Sequence, residues 1–347
     1  MCDAPSVIAH VGRELRRLAA DRVVRSSIPA TLDGVGTEVL SELLGRRVTS
    51  ARRLGGTEGT TDRVRLALTG DGVPASVFVK LHSHQLGNRL FGGLAQLGET
   101  EVRFYGDRPD VEAPLAHAAA FDPRTGRFLL VLEDLEARGA RFADTTVPLS
   151  ADEAALALDA LRAVHGTPPP AWTRTNSADP MLGVITRALG PLSRRVEGVP
   201  EAAWVLRDYP AVARALDAGP AALLHGDPHP GNLYLVDGRV GFLDWQCVRR
   251  GDPLRDVTYL MVLGLTPEDR AKHERDLLAH YRTDTGSDDW DTYRRMAAYV
   301  YVATTFTSGL GGLQGESIAD EGFRRSCIAL RELETVSALA ALGLHGD

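Results

Sequence analysis

At 347 residues the chain exceeds what one hydrophobic core usually organises, so two lobes are expected. Hydrophobic residues make up 44% and charged residues 24%, an ordinary globular balance, and the net charge of −7 argues against a nucleic-acid backbone as main partner. No apolar run approaches the roughly 20 residues a membrane-spanning helix needs, and Cys2, Cys247 and Cys327 lie far apart with no CxxC, which excludes a disulfide framework or zinc knuckle.

The first segment, SVIAHVGRELRRLAADRVV, places Val7, Ile8, Val11, Leu15 and Leu18 at helical spacing, interrupted by Arg and Glu. It lacks the continuous apolar core of a signal peptide, so the expected location is the cytoplasm. TEVLSELLG, 37–45, reads as a short helix closed by Gly45. Three strand-like stretches follow: VTSARRLGG, RVRLALTG and ASVFVKLH. The alternation from Arg63 to Leu68 marks a half-buried strand, and GDGVP, 70–74, is a turn by composition. Between the first two strands lies GGTEGTTD, 55–62, rich in glycine and hydroxyls. GETEVRFYGD, 98–107, reads as a helix, and RFLLVLEDL, 127–135, as a buried strand ending in two carboxylates.

From residue 150 the pattern turns helical. In SADEAALALDALRAVHG, Ser150 is the expected N-cap, Glu153 its capping-box partner, and Gly166 followed by prolines the stop. Further helical stretches are expected at 178–190, 200–217, 267–282, 288–307 and 319–343. Within this region ALLHGDPHPGNLYL, 221–234, and VGFLDWQ, 240–246, surround a small hairpin turned at DGR. The fold class is therefore α+β, with a β-rich lobe over 1–134 and a mainly helical lobe over 135–347.

Phosphoryl transfer needs a carboxylate near the attacking hydroxyl, oxygen ligands for a cation that bridges the phosphates, and a basic side chain on the nucleotide. Protein kinases meet this with H-R-D-x-x-x-x-N and a downstream D-F-G. Here His225-Gly226-Asp227 leads to Asn232 at the same spacing, and Asp244 follows the hairpin. Asp227 is the expected hydroxyl-orienting base, and Asn232 and Asp244 the Mg²⁺ ligands. His225 reads as a structural support of the loop, and His229 stays open between loop support and a polar contact. Of the 39 basic residues only Lys80 and Lys272 are lysines, which leaves 39 − 2 = 37 arginines, and Lys80 sits on the third strand, where a phosphate-gripping lysine belongs. Its carboxylate partner is Glu99 or Glu101. Gly55, Gly56, Thr57, Gly59 and Thr60 offer backbone N–H groups and hydroxyls to phosphates.

These motifs together resemble the aminoglycoside phosphotransferase and choline kinase superfamily, of protein-kinase-like fold, nearest its ecdysteroid-kinase-like branch. The likeness runs from about 28 to 335 and rests on HGDPHPGN, FLDWQ, VFVKLH, EVRFY, LVLEDL and GDPLRDVTYL. The resemblance selects Glu101 as partner of Lys80, places adenine against the backbone from Glu133 to Leu135, and makes Asp256 structural. It implies an ATP- and Mg²⁺-dependent transfer to a small-molecule hydroxyl, and its branch leans toward a hydroxylated apolar metabolite. Trp245-Gln246 stands where protein kinases have Phe-Gly, with no activation loop behind it, which favours a small acceptor over a protein. Two rivals are a metallohydrolase using His225, Asp227, His229 and His82 or His84, and a nucleotide-binding pseudokinase. The aromatic residues of 288–306 are expected to be mostly core, with some left for an acceptor pocket.

Overall fold

The computed structural model describes residues 4–57, 59–144, 146–194, 198–282, 289–311 and 315–345, so Cys2, Glu58 of the glycine-rich stretch and Asp288 lie outside the described residues. Two compact units are formed, one from residues 8–141 with 243–247, the other from 142–242 and 248 onward together with the first few residues.

Alternating sequence builds the first unit. Strands β1 (Val48–Thr57), β2 (Thr61–Gly70), β3 (Ser76–His82), β4 (Ala116–Asp122) and β5 (Arg127–Glu133) form an antiparallel sheet in the order β1-β2-β3-β5-β4. Because side chains alternate between faces, Val64, Leu66 and Leu68 of β2 join Val77, Val79 and Leu81 of β3 and Leu129 and Val131 of β5 in one core. Leu40, from helix α2 (Thr37–Leu44), packs into the same cluster, and Gly45 ends α2 in the left-handed conformation (φ 62°). The opposite sheet face carries Arg63 beside Lys80 and Arg65 beside Phe78, as the strand register dictates.

Helices α1 (Ala4–Ala20), α3 (Leu86–Leu94) and α4 (Leu97–Asp107) complete this region. Gly98 seats α4: a Cβ there would come within 2.1 Å of the Phe128 ring on β5. That close approach carries Glu101, one helical turn further on, in toward the sheet.

The second unit is mostly helix: α5 (Ala151–Gly166), α6 (Leu182–Ser193), α7 (Ala203–Arg207), α8 (Tyr209–Leu216), α9 (Leu254–Gly264), α10 (Pro267–Tyr281), α11 (Trp290–Leu310), α12 (Glu316–Glu332) and α13 (Thr335–Ala340). The expected capping box opens α5, with the Ser150 hydroxyl accepting from the Glu153 N–H at 3.2 Å and Glu153 accepting from the Ser150 N–H at 2.8 Å. The stretch expected as one helix over 200–217 breaks at Asp208 before Tyr209-Pro210, and that over 319–343 breaks at Glu334 (φ 47°). After the short strand β6 (Arg141–Phe142), the Ala143 N–H donates to Leu233 on β8 (Leu233–Val236). β8 pairs with β9 (Arg239–Phe242) through a two-residue turn, with Asp237 and Gly238 both at positive φ. β7 (Ala222–Leu224) pairs with β10 (Arg249–Gly251) and delivers the chain into the HGD stretch.

Candidate active site

The first unit assembles a buried charge cluster around Lys80. Its Nζ lies 2.7 Å from Glu101 Oε2 and 2.7 Å from Asp244 Oδ1. Glu101, the partner chosen from the EVRFY motif, is 1% exposed, while Glu99 turns to Arg17 and Arg103 instead. Burial pushes the Glu101 carboxyl pKa up, against the opposing pull of the Lys80 ammonium. Asp244 sits at φ 61°, a left-handed conformation that costs a non-glycine residue on the order of 1–3 kcal/mol and is typical of functional sites. Trp245, the residue replacing phenylalanine, explains how this backbone is held. Its fully buried ring stacks on Phe104 of α4 at 4.0 Å and 9°. The helix that carries Glu101 is thereby fixed to the segment that carries Asp244.

Sequence reading did not single out Arg63. Its Nη2 lies 3.3 Å from Asp244 Oδ2 and its Nε donates to the Thr61 hydroxyl at 3.0 Å. The β2 alternation puts Arg63 on the polar face of its strand, and the register with β3 sets it beside Lys80.

The glycine-rich stretch connects β1 to β2. Gly55, Gly56 and Thr57 are exposed at the end of β1, and Gly59 and Thr60 are half-buried in the bend that follows. Gly56 has a packing reason as well, since a Cβ would stand 2.5 Å from the Arg63 carbonyl oxygen. Asn88 of α3 donates to the Gly59 carbonyl at 2.9 Å and anchors the bend. At the end of β5 the Glu133 N–H donates to the Leu115 carbonyl at 2.8 Å, so that donor is occupied. The Leu135 N–H has no hydrogen-bond partner among the described residues. Between them, Asp134 receives two bonds from Arg65, at 3.0 and 2.9 Å. Burial raises the Asp134 pKa, but the bonds from Arg65 and Ser76 outweigh it and the net shift is downward.

In the second unit the HGD loop is wired to its own backbone. Asp256 of α9 accepts from the His225 N–H at 2.7 Å and the Gly226 N–H at 3.1 Å, and from His165 at 3.2 Å, which is the structural role expected of it. His225 is fully buried against Phe242, and its Nδ1 accepts from the Asp227 N–H at 3.2 Å. Gly226 adopts φ 87°, accessible to glycine at little cost. The Asn232 side-chain NH₂ donates to the Asp227 carbonyl at 2.9 Å, which fixes the amide and leaves Oδ1 without a hydrogen bond among the described residues. The Asp227 carboxylate is a quarter exposed, with His229 Nε2 at 3.8 Å. Tyr299 of α11 donates to the Gly226 carbonyl at 3.3 Å, whereas Tyr293 and Tyr301 are core and Trp290 packs beneath Arg275.

Asp244 in the first unit offers a carboxylate and Asn232 in the second an amide oxygen, each a donor of the kind a hard divalent cation takes. The histidines of the metallohydrolase reading are otherwise engaged. His229 Nδ1 accepts from the Gly231 N–H, His84 Nδ1 pairs with Asp62 at 2.8 Å, and His82 Nδ1 faces the Phe128 backbone. No group of three or more His, Cys, Asp or Glu side chains able to hold a metal occurs among the described residues.

A family model, that of the phosphotransferase enzyme family, matches residues 58–299, well over half of the chain. The chain belongs to this family, and it is an ATP-dependent phosphotransferase acting on a hydroxyl group, with a divalent cation as second cofactor. Its fold is that of several solved structures. A choline/ethanolamine kinase family protein from Mesorhizobium loti is 19% identical over 84% of this chain and 92% of its own (TM-score 0.51). The choline kinase LicA from Streptococcus pneumoniae is 19% identical over 86% and 97% (TM-score 0.51), and the amicoumacin kinase hAmiN, bound to AMP-PNP, Ca²⁺ and its antibiotic, 12% identical over 87% and 94% (TM-score 0.54). A search of curated proteins returns no match.

Proposed function

We propose that the chain transfers the γ-phosphoryl group of ATP to a hydroxyl of a small metabolite or antibiotic, in the cytoplasm where ATP is supplied. The observation that carries this reading is Lys80, shared between Glu101 and Asp244 at 2.7 Å each. In this account Lys80 grips the phosphates, and Gly55, Gly56, Thr57, Gly59 and Thr60 supply N–H groups and hydroxyls to them. The unpartnered Leu135 N–H receives the adenine, with Glu133 contributing its backbone alongside. The unit of 8–141 with 243–247 is the nucleotide-binding lobe, and the other unit carries the catalytic loop and the acceptor.

Asn232 Oδ1 and Asp244 would hold the divalent cation, which when bound neutralises charge on the phosphates. Asp227 orients the acceptor hydroxyl and takes its proton as the oxygen attacks. His225 and Asp256 keep the loop backbone in place so that the carboxylate needs little rearrangement. The related enzymes are choline kinases and antibiotic kinases, which supports a small acceptor. A panel of aminoalcohols, sugar-containing antibiotics and hydroxylated apolar metabolites tests this, with acceptor-dependent ADP release and a phosphorylated product by mass as the readouts. Nucleotide binding with no phosphorylated product from any class of alcohol would return the pseudokinase reading.

A further inference from the structure

Lys80 and Glu101 neutralise each other in the buried cluster, and Asp244 is neutralised by Arg63. The two cations are held very differently. Lys80 is 4% exposed at its side chain and contacts two carboxylates. Arg63 is 35% exposed and reaches Asp244 through one contact of 3.3 Å, and its Nη1 makes no hydrogen bond among the described residues. Its Nε, bonded to the Thr61 hydroxyl, anchors the guanidinium beside the glycine-rich bend, while register with Lys80 keeps it on the phosphate-gripping face.

A divalent cation that takes Asp244 removes the charge that holds Arg63. The guanidinium then needs a new counter-ion, and a planar fork with free N–H groups suits phosphate oxygens. We propose that Arg63 is a second phosphate-binding cation, parked on Asp244 in the nucleotide-free protein and released to the terminal phosphates when a divalent cation takes Asp244. This rests on the reading of the Lys80 cluster as the nucleotide phosphate site. Arg63 thereby has two functions: it shields Asp244 when the site is empty, and it offsets triphosphate charge when the site is filled.

The test compares wild type, Arg63→Met and Arg63→Lys by calorimetric binding of ATP, ADP and adenosine in Mg²⁺. Mn²⁺ binding without nucleotide is followed separately by the spin-resonance signal of free Mn²⁺. Arg63→Met should weaken ATP by about tenfold or more, ADP by less, and adenosine not at all. It should also tighten Mn²⁺, because a competitor for Asp244 is gone. Arg63→Lys should fall between the two for ATP. Equal losses for ATP and adenosine would assign Arg63 a structural role and overturn the proposal, as would unchanged ATP affinity or unchanged Mn²⁺ affinity. Arg63→Gln replaces Arg63→Met if the latter lowers the melting temperature. Lys80→Ala is the separate control: if it leaves ATP affinity intact, the phosphate-site reading itself fails.

Discussion

Glu101→Gln removes one of the two carboxylates that share Lys80. Breaking a buried ion pair usually costs about 3–5 kcal/mol, because the surviving charge is stranded. Here the survivor keeps Asp244 at 2.7 Å, and a glutamine carbonyl can still accept from Nζ. Burial also disfavours the Glu101 charge, so its removal returns part of the cost. The expected loss is therefore about 1–2 kcal/mol, equivalent to a fall of about 2–8 °C in melting temperature for a unit of this size. The functional effect should exceed the structural one. A lysine left with Asp244 alone competes with the divalent cation for the same carboxylate, and each 1.4 kcal/mol of added competition raises the required cation concentration about tenfold. Titrating Mg²⁺ at fixed ATP, with calorimetric detection of nucleotide binding, should show the half-saturating Mg²⁺ rise by roughly that factor. A lowered melting temperature with unchanged Mg²⁺ dependence would refute the reasoning, since Glu101 would then hold the helix and not the lysine.

Phe104→Leu removes the stack on Trp245 and should cost about 1–2 kcal/mol of stability. It should also weaken MgATP binding, because α4 and the Asp244 segment lose their shared anchor. Thermal melts and nucleotide titration check the two effects separately. Asp122→Asn tests a carboxylate away from the site. Burial raises the Asp122 pKa, but bonds from Ser26, the Arg124 backbone and Thr125 overcome this and bring it down to about 2, against 3.8 unperturbed. A depressed folded pKa contributes stability above the unfolded value and loses it below. The variant should therefore be less stable by about 2 kcal/mol at neutral pH, and the gap should close as pH falls from about 4 to about 2 in denaturant titrations.

The motifs that make local structure were legible, and those that depend on packing were not. His225 to Asn232, the Ser150 capping box and the Asp237-Gly238 turn each carry their reason within a few residues, and each has the expected local structure. Helix α9 escaped because nearly all its residues are buried, so LRDVTYLMVLG has no polar face to mark its period. Strand β4 escaped because AHAAAFD is poor in β-branched residues, and its place in the sheet comes from pairing with β5. Arg63 was hidden by composition: one arginine among 37 carries no signal until the register with Lys80 is known. The aromatics of 288–306 were sorted by burial only in three dimensions, with Tyr293 and Tyr301 in the core and Tyr299 against the HGD loop.

The assignment of Asp227 as the group that takes the acceptor proton is the centre of the account, and Asp227→Asn tests it most directly. The substitution keeps the side chain's size and one acceptor oxygen, and the bonds to the Asp227 carbonyl from the His229 N–H and the Asn232 side-chain NH₂ remain available. General-base contributions are on the order of 10²–10⁴-fold, so kcat for acceptor phosphorylation should fall by that factor while the dissociation constant for MgATP stays within about twofold. Normal turnover with lost MgATP affinity would contradict the account, because Asp227 would then hold the cation and not the acceptor hydroxyl.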